Sequence, residues 1–212
     1  MSFKLICFDM DGVFFNQFSF WMELHKIFGT SEEGRKLTDK YLLSDYDKLV
    51  EEVVGRLWKG KDAKPYYDLV NSIPYLPGIK EVFEYLKKKG FITAIISGSS
   101  TDVARRVQKD FDVDYIFAND LIIKDGKVSG EYTSPVKVGR HNKAIIIRDL
   151  CSELGISTSE TIFIGDSEYD IEAFKEAGFS IAFNSKCEEL KKIASVVVDS
   201  QDISDIIKYL PK

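Results

Sequence analysis

The stretch Leu5-Ile6-Cys7-Phe8-Asp9-Met10-Asp11-Gly12-Val13 passes from a short apolar run directly into two carboxylates one residue apart and then a glycine. An apolar run of this length suits a strand of a parallel sheet covered on both faces. Ligands of open α/β sheets bind just beyond the carboxyl ends of such strands, so the order of residues places Asp9 and Asp11 in a crevice. Gly12 would let the backbone turn sharply away. An Asp-Gly surface turn and a fragment of a calcium loop are the competing readings. The calcium reading is weak, because an EF-hand loop needs oxygen donors at its fifth and twelfth positions, where this stretch offers only apolar residues.

Composition narrows the field. The chain has 212 residues, 44% hydrophobic and 30% charged, which is the profile of a globular protein with a full core. A net charge of −5 argues against nucleic acid as a partner. No apolar run reaches the length of a membrane span, and the stretch Met1 to Phe8 is too short for a signal peptide, so no membrane partner and a cytoplasmic location are expected. Cys7, Cys151 and Cys187 are odd in number and widely spaced, which indicates neither a disulfide framework nor a zinc cluster.

From residue 79 onward, strand-like runs alternate with amphipathic helical ones, the pattern of a parallel sheet wrapped by helices. Helices are expected at 79–89, 101–110, 142–154 and 169–177, with strands at 91–96, 114–118, 161–165, 180–183 and 195–198 and a helix at the C-terminus. Two alternating runs joined at Asp125-Gly126 signal a β-hairpin over 121–132. Residues 14–77 break this rhythm, read as mostly helical and close on Pro74, Pro77 and Gly78. The expected division is an α/β core of residues 1–13 and 78–212 with a small helical cap, 14–77, inserted after the first strand.

Three further groups fall where loops follow strands or where helices begin. Ser97-Gly98-Ser99-Ser100-Thr101 ends one strand and can offer hydroxyls and backbone N–H groups to an anion, or simply cap the next helix. Asp166 to Asp170 ends another strand with acidic residues. Carboxylates brought together repel and shift each other's pKa. A magnesium ion held by oxygen ligands is the simplest reason to gather them. Lys143 sits at the start of a helix, where the macrodipole disfavours a cation by about 0.3–1 kcal/mol, so something negative nearby would account for it. A solvated lysine is the alternative.

Taken in order, Asp9-Met10-Asp11-Gly12, Ser97-Gly98, Lys143 and Gly165-Asp166 with Asp170 resemble the four motifs of the haloacid-dehalogenase superfamily of phosphohydrolases, and the insertion and hairpin are similar to its phosphoserine phosphatase branch. The resemblance implies a Rossmann-like α/β fold and hydrolysis of a small phosphate ester, phosphoserine being the leading single substrate. It implies Asp9 as the nucleophile that forms an aspartyl-phosphate and Asp11 as general acid and base. Ser97, Gly98 and Lys143 would hold the phosphoryl group. Asp9, Asp11 through its backbone carbonyl, and Asp166 would bind Mg2+, with Asp170 orienting that shell. Phosphotransfer to an alcohol is the alternative activity, and a non-catalytic binding module is the more remote one.

The chain also departs from the branch's pattern. Phe18 stands where phosphoserine phosphatases carry glutamate, Ser99 where glycine is usual, and Tyr169 where asparagine stands. Phe18, Tyr169 and an arginine of the cap, Arg56 or Arg35, are therefore the candidates for contacts that set specificity. Phe14, Phe15, Phe18, Phe20 and Trp21 either line an apolar pocket for a larger leaving group or pack the cap's helices.

Overall fold

The computed structural model of the chain describes residues 3–16, 19–136 and 142–210. A single sheet of seven strands runs through it: β1 (Leu5–Phe8), β2 (Ile92–Ser100), β3 (Tyr115–Lys124), β4 (Lys127–Thr133), β5 (Thr161–Gly165), β6 (Phe179–Phe183) and β7 (Val196–Val198). Their order across the sheet is β4-β3-β2-β1-β5-β6-β7. Every neighbouring pair is parallel except β3 with β4. The chain leaves β1 to one side for β2 and returns to the other for β5, so the order reverses at β1, and a crevice opens there at the carboxyl edge.

Both faces of the sheet are covered. The helices are α1 (Phe20–Ile27), α2 (Ser31–Tyr41), α3 (Tyr46–Val50), α4 (Lys64–Ser72), α5 (Ile79–Lys89), α6 (Thr101–Phe111), α7 (Asn142–Leu154), α8 (Ile171–Glu176) and α9 (Glu188–Ile193). Side chains alternate across a strand: Ile6 and Phe8 join one hydrophobic core with α5 and α6, while Leu5 and Cys7 join the other with α7 and α8. All four side chains are fully buried, as a strand in the middle of a parallel sheet requires.

The long connection from β1 to α5 is helical. Helix α3 widens directly into a π-type segment, Glu51–Trp58, and residues 60–63 then run beside the hairpin, with Gly60 N–H donating to Val128 O (2.8 Å), Val128 N–H to Lys61 O (2.9 Å) and Ala63 N–H to Gly126 O (2.8 Å). The hairpin turn itself has positive φ at both Asp125 (51°) and Gly126 (73°), the backbone that an Asp-Gly pair favours.

Several boundaries differ from those expected, among them that of helix 169–177, which is a 3-10 turn, Glu168–Asp170, followed by α8. Strand β2 continues to Ser100, with a register shift against β3 between Ile96 and Ser100, so the small-residue segment is extended and not a loop. Strand β3 spans both the expected strand 114–118 and the first arm of the hairpin, pairing parallel with β2 and then antiparallel with β4. The expected C-terminal α-helix is a 3-10 segment, Ile203–Tyr209. No helix among the described residues is long and apolar enough to cross a membrane.

Candidate active site

The ladder between β1 and β5 runs one residue past β1, with Asp9 N–H donating to Ile164 O at 2.9 Å. That bond fixes Asp9 where the sheet ends, and Met10 N–H donates to its Oδ1 at 2.6 Å. Asp166 follows β5 directly, and Ser97 lies in the C-terminal half of β2. Three adjacent strands thus deliver Asp9, Ser97 and Asp166 to one edge. Gly12 lets the two acidic strand ends approach: its φ is +81°, and a Cβ there would lie 2.1 Å from Asp166 Oδ2.

Lys143, the second residue of α7, is 5% exposed and sits between two carboxylates, with Nζ 2.6 Å from Asp9 Oδ2 and 2.6 Å from Asp170 Oδ1. These partners outweigh its poor place at a helix start. Burial opposes its charge, but Asp170 and then Asp9 more than offset this and hold its pKa above the ordinary lysine value. Asp170 is fully buried, and its Oδ2 accepts from Asp166 N–H and Ser167 N–H, each at 3.0 Å. Gly165 makes room for it, since a Cβ there would fall 2.5 Å from the Asp170 carboxyl.

Burial pushes the Asp9 carboxyl up despite Lys143 beside it. It likewise raises Asp11 to about 7, with the Asp9 charge adding to the effect. Asp11 Oδ2 accepts from Phe20 N–H at 3.0 Å, which ties this carboxyl to the start of α1. Ser99 lies near enough to Asp11 to favour its ionised form, yet Asp11 Oδ1 and Ser99 Oγ are buried without a partner in hydrogen-bond geometry. Asp166 rises to about 8 through burial, then through the nearby Asp170 and Asp9.

These groups close one end of a cavity of about 310 Å³, whose other walls come from the helical insertion and the hairpin. Trp21 lines it and bridges the two parts, its indole N–H donating to Gly98 O at 2.8 Å.

The haloacid dehalogenase-like hydrolase family matches residues 3–178, which include every residue of this cluster. The chain belongs to the haloacid dehalogenase-like hydrolases. Within the family it is 30% identical to a phosphoserine phosphatase of Methanocaldococcus jannaschii over 209 residues, 98% of this chain and 97% of that one. A phosphoserine phosphatase of Archaeoglobus fulgidus is 29% identical over 98% of this chain, which spans 60% of that relative's length. A solved phosphoserine phosphatase, an analogue of its phospho-aspartyl intermediate, superposes with a TM-score of 0.85 at 29% identity over the whole of both chains. A substrate-bound phosphoserine phosphatase complex superposes equally well, with a TM-score of 0.85 at 28% identity. This chain is a phosphatase of the haloacid dehalogenase-like type.

The fold brings Asp9, Asp11, Ser97, Gly98, Lys143 and Asp166 to the cavity wall together with Tyr169, and places Asp170 behind Lys143. Arg56 is not brought there. It is exposed and bonded by Nε to Glu52 (2.6 Å) and by a terminal nitrogen to Glu33 (2.6 Å), because Val53, Val54 and Trp58 occupy the inward face of its segment. Arg35 is exposed on α2 and also lies off the cavity wall. Phe18 lies outside the described residues. Of the other aromatic candidates, Trp21 lines the cavity, whereas Phe14, Phe15 and Phe20 are fully buried in the core. Phe14, for example, packs its ring 5.2 Å from Phe8 and 5.7 Å from Phe83.

Asn119 escaped the sequence reading. It is fully buried, donates through Nδ2 to Gly98 O and Val136 O (3.0 Å each), and accepts from Val136 N–H at 3.1 Å. It therefore fixes the backbone beside Ser97, and its only signal in the sequence is a polar residue within an apolar strand.

Asp9, Asp166 and Asp170 each offer an oxygen within 4.8 Å of the others. Both Asp170 oxygens are already engaged, by Lys143 and by the backbone after β5. Asp11 Oδ1 beside them is buried without a hydrogen-bond partner. A cluster of carboxylates that has a buried ammonium and an unmatched oxygen fits a divalent cation with a preference for hard oxygen ligands.

Proposed function

We propose that this phosphatase hydrolyses phosphate monoesters through an aspartyl-phosphate on Asp9, with Mg2+ as the cation, and that residues 14–77 form a cap over a catalytic core of 1–13 and 78–212. The observation that carries the reading is the buried pair at the end of β1: Asp9 held by Lys143 at 2.6 Å, and Asp11 beside it with a pKa near 7. An Asp9 oxygen attacks phosphorus in line, and the bond from phosphorus to the ester oxygen breaks. Asp11, tied to Phe20 N–H and protonated for a large part at neutral pH, gives its proton to the leaving alkoxide. Ionised Asp11 then takes a proton from the water that attacks the aspartyl-phosphate, and the Asp9–phosphorus bond breaks.

Ser97 Oγ, Gly98 N–H and Lys143 hold the phosphoryl oxygens, and Lys143 also shields Asp9 from the incoming anion. Asp170 positions Lys143 and the backbone that carries Asp166. Asp9, the Asp11 carbonyl and Asp166 would hold Mg2+, which supplies charge neutralisation and orientation of the phosphoryl group. A relative solved as a phospho-aspartyl intermediate analogue supports this route.

Relatives named phosphoserine phosphatase make L-phosphoserine the first substrate to try. Phosphate release from L-phosphoserine and 4-nitrophenyl phosphate, with millimolar magnesium or excess chelator and with Asp9→Asn as the blank, tests the reading. Metal-dependent release that Asp9→Asn abolishes is expected. Turnover that survives either Asp9→Asn or the chelator would overturn it.

A further inference from the structure

The cavity's two ends differ in chemistry. All of its charged side chains among the described residues lie at the sheet end: Asp9, Asp11, Lys143 and Asp166. The end built by the insertion is lined chiefly by Met22, Leu42, Leu49, Val53 and Val54, with the Trp21 and Trp58 rings 6.0 Å apart beside them. No Lys, Arg, Asp or Glu of the insertion reaches that wall among the described residues.

The His25 and Tyr46 side chains at this end already have hydrogen-bond partners. His25 Nδ1 lies 2.8 Å from Thr30 Oγ1, and burial holds the imidazole neutral, its pKa lowered to about 4. The Tyr46 and Tyr132 hydroxyls meet at 3.3 Å. An amino-acid leaving group would bring an ammonium and a carboxylate against this apolar wall, where no Lys, Arg, Asp or Glu of the insertion among the described residues pairs with either, a desolvation cost that apolar contact cannot offset. An uncharged apolar body would instead bury its surface against it.

Resting on the phosphomonoesterase reading above, we propose that the site's substrate class is the phosphate monoester of an apolar, uncharged alcohol. The wall of Met22, Leu42, Leu49, Val53 and Val54 selects it over a phosphorylated amino acid. The cavity's volume, about 310 Å³, is at the lower end of the range of roughly 300–1,000 Å³ for small-molecule sites. The alcohol is accordingly a short alkyl or single-ring body.

Ethyl, butyl and hexyl phosphate and L-phosphoserine, all esters of primary alcohols, are compared by kcat/KM at saturating magnesium. Each methylene that enters the apolar end should raise kcat/KM by about fourfold, so that hexyl phosphate exceeds ethyl phosphate by on the order of a hundredfold and exceeds phosphoserine as well. Values flat with chain length, or phosphoserine as the best of the four, would overturn the inference while leaving the phosphatase reading intact. No phosphate from any of the four would overturn both.

Met22 is half-buried, so Met22→Lys should be tolerated while it places an ammonium in the wall. It should lower kcat/KM for hexyl phosphate by about tenfold or more and for ethyl phosphate by a smaller factor, so that the preference for the longer chain falls. An equal loss on both esters would mean that Met22 serves the fold and not selection, and would count against the assignment of the wall.

Discussion

Replacing Lys143 with methionine keeps the length of the side chain and removes the ammonium held between Asp9 and Asp170. Its Nζ is 2.6 Å from Asp9 Oδ2 and from Asp170 Oδ1, and all three groups are nearly or fully buried. At an effective dielectric constant of 20, each contact corresponds to an attraction of about 6 kcal/mol. The cost of taking the charges out of water offsets much of this, and removal of one partner from a buried pair typically destabilises by roughly 3–5 kcal/mol. In a chain of this length that is a fall in Tm of roughly 6–20 °C.

The loss also has a sign in pH. Without Lys143, the Asp9 carboxyl, already raised by burial, rises further. The folded variant then binds a proton that the unfolded chain has released, so its stability declines as pH rises above the ordinary aspartate range. Urea denaturation in the presence of chelator, at pH 5.5 and pH 8.5, should therefore show a larger deficit at the higher pH. A deficit below about 1 kcal/mol at both pH values would refute the view of Lys143 as the electrostatic centre of the site.

Three further outcomes are expected. In the metal-free protein, Asp11 (about 7) and Asp166 (about 8) stand above their unfolded values, so their contribution is complete below pH 4 and is lost as pH rises to about 8. Magnesium held by the Asp166 carboxylate displaces its proton and should raise Tm more at pH 8 than at pH 6, whereas an equal shift at both would contradict the site. Gly12→Ala, which drives a Cβ into Asp166 at a φ of +81°, should weaken the thermal response to magnesium by tenfold or more in concentration on the order expected for a disturbed ligand; a full response would show that Asp166 is not held there. His25, buried with its pKa depressed to about 4, should make the protein lose stability on acidification from about pH 6.5 towards 4, since the unfolded chain takes up the proton first. Urea midpoints at pH 7 and pH 5 should draw closer together in His25→Gln than in the parent, and an unchanged gap would show that other groups govern the acid loss.

Much of the sheet could be read from local pattern. Apolar runs such as Leu5–Phe8 and Thr161–Gly165 are short, buried on both faces and end in acidic residues, so their place and polarity are written in adjacent positions. Lys143 was legible as an anomaly, a cation at a helix start, and the anomaly resolves into two carboxylates contributed by β1 and by the segment after β5. The wall of the cavity was not legible, because Met22, Leu42 and Val53 meet only through the packing of α1, α2 and the π-type segment. The phenylalanines left two alternatives open, and Phe14, Phe15 and Phe20 take the packing one: they turn into the core, where tertiary packing and not local sequence decides their direction. Arg56 was a candidate contact for specificity, but the carboxylates of Glu33 and Glu52 hold it on the outer face.

In the proposed mechanism Asp9 carries the phosphoryl group and Asp11 moves the proton. Asp11→Asn leaves the nucleophile in place and removes the base that activates water, so an activated aryl phosphate should load Asp9 faster than the variant can clear it. Acid quench during turnover, followed by peptide mass analysis, should find one phosphoryl group on the peptide that contains Asp9, labile to hydroxylamine as an acyl phosphate is. Turnover of Asp11→Asn without any phosphorylated Asp9, or a phosphoryl group on another residue, would contradict the account.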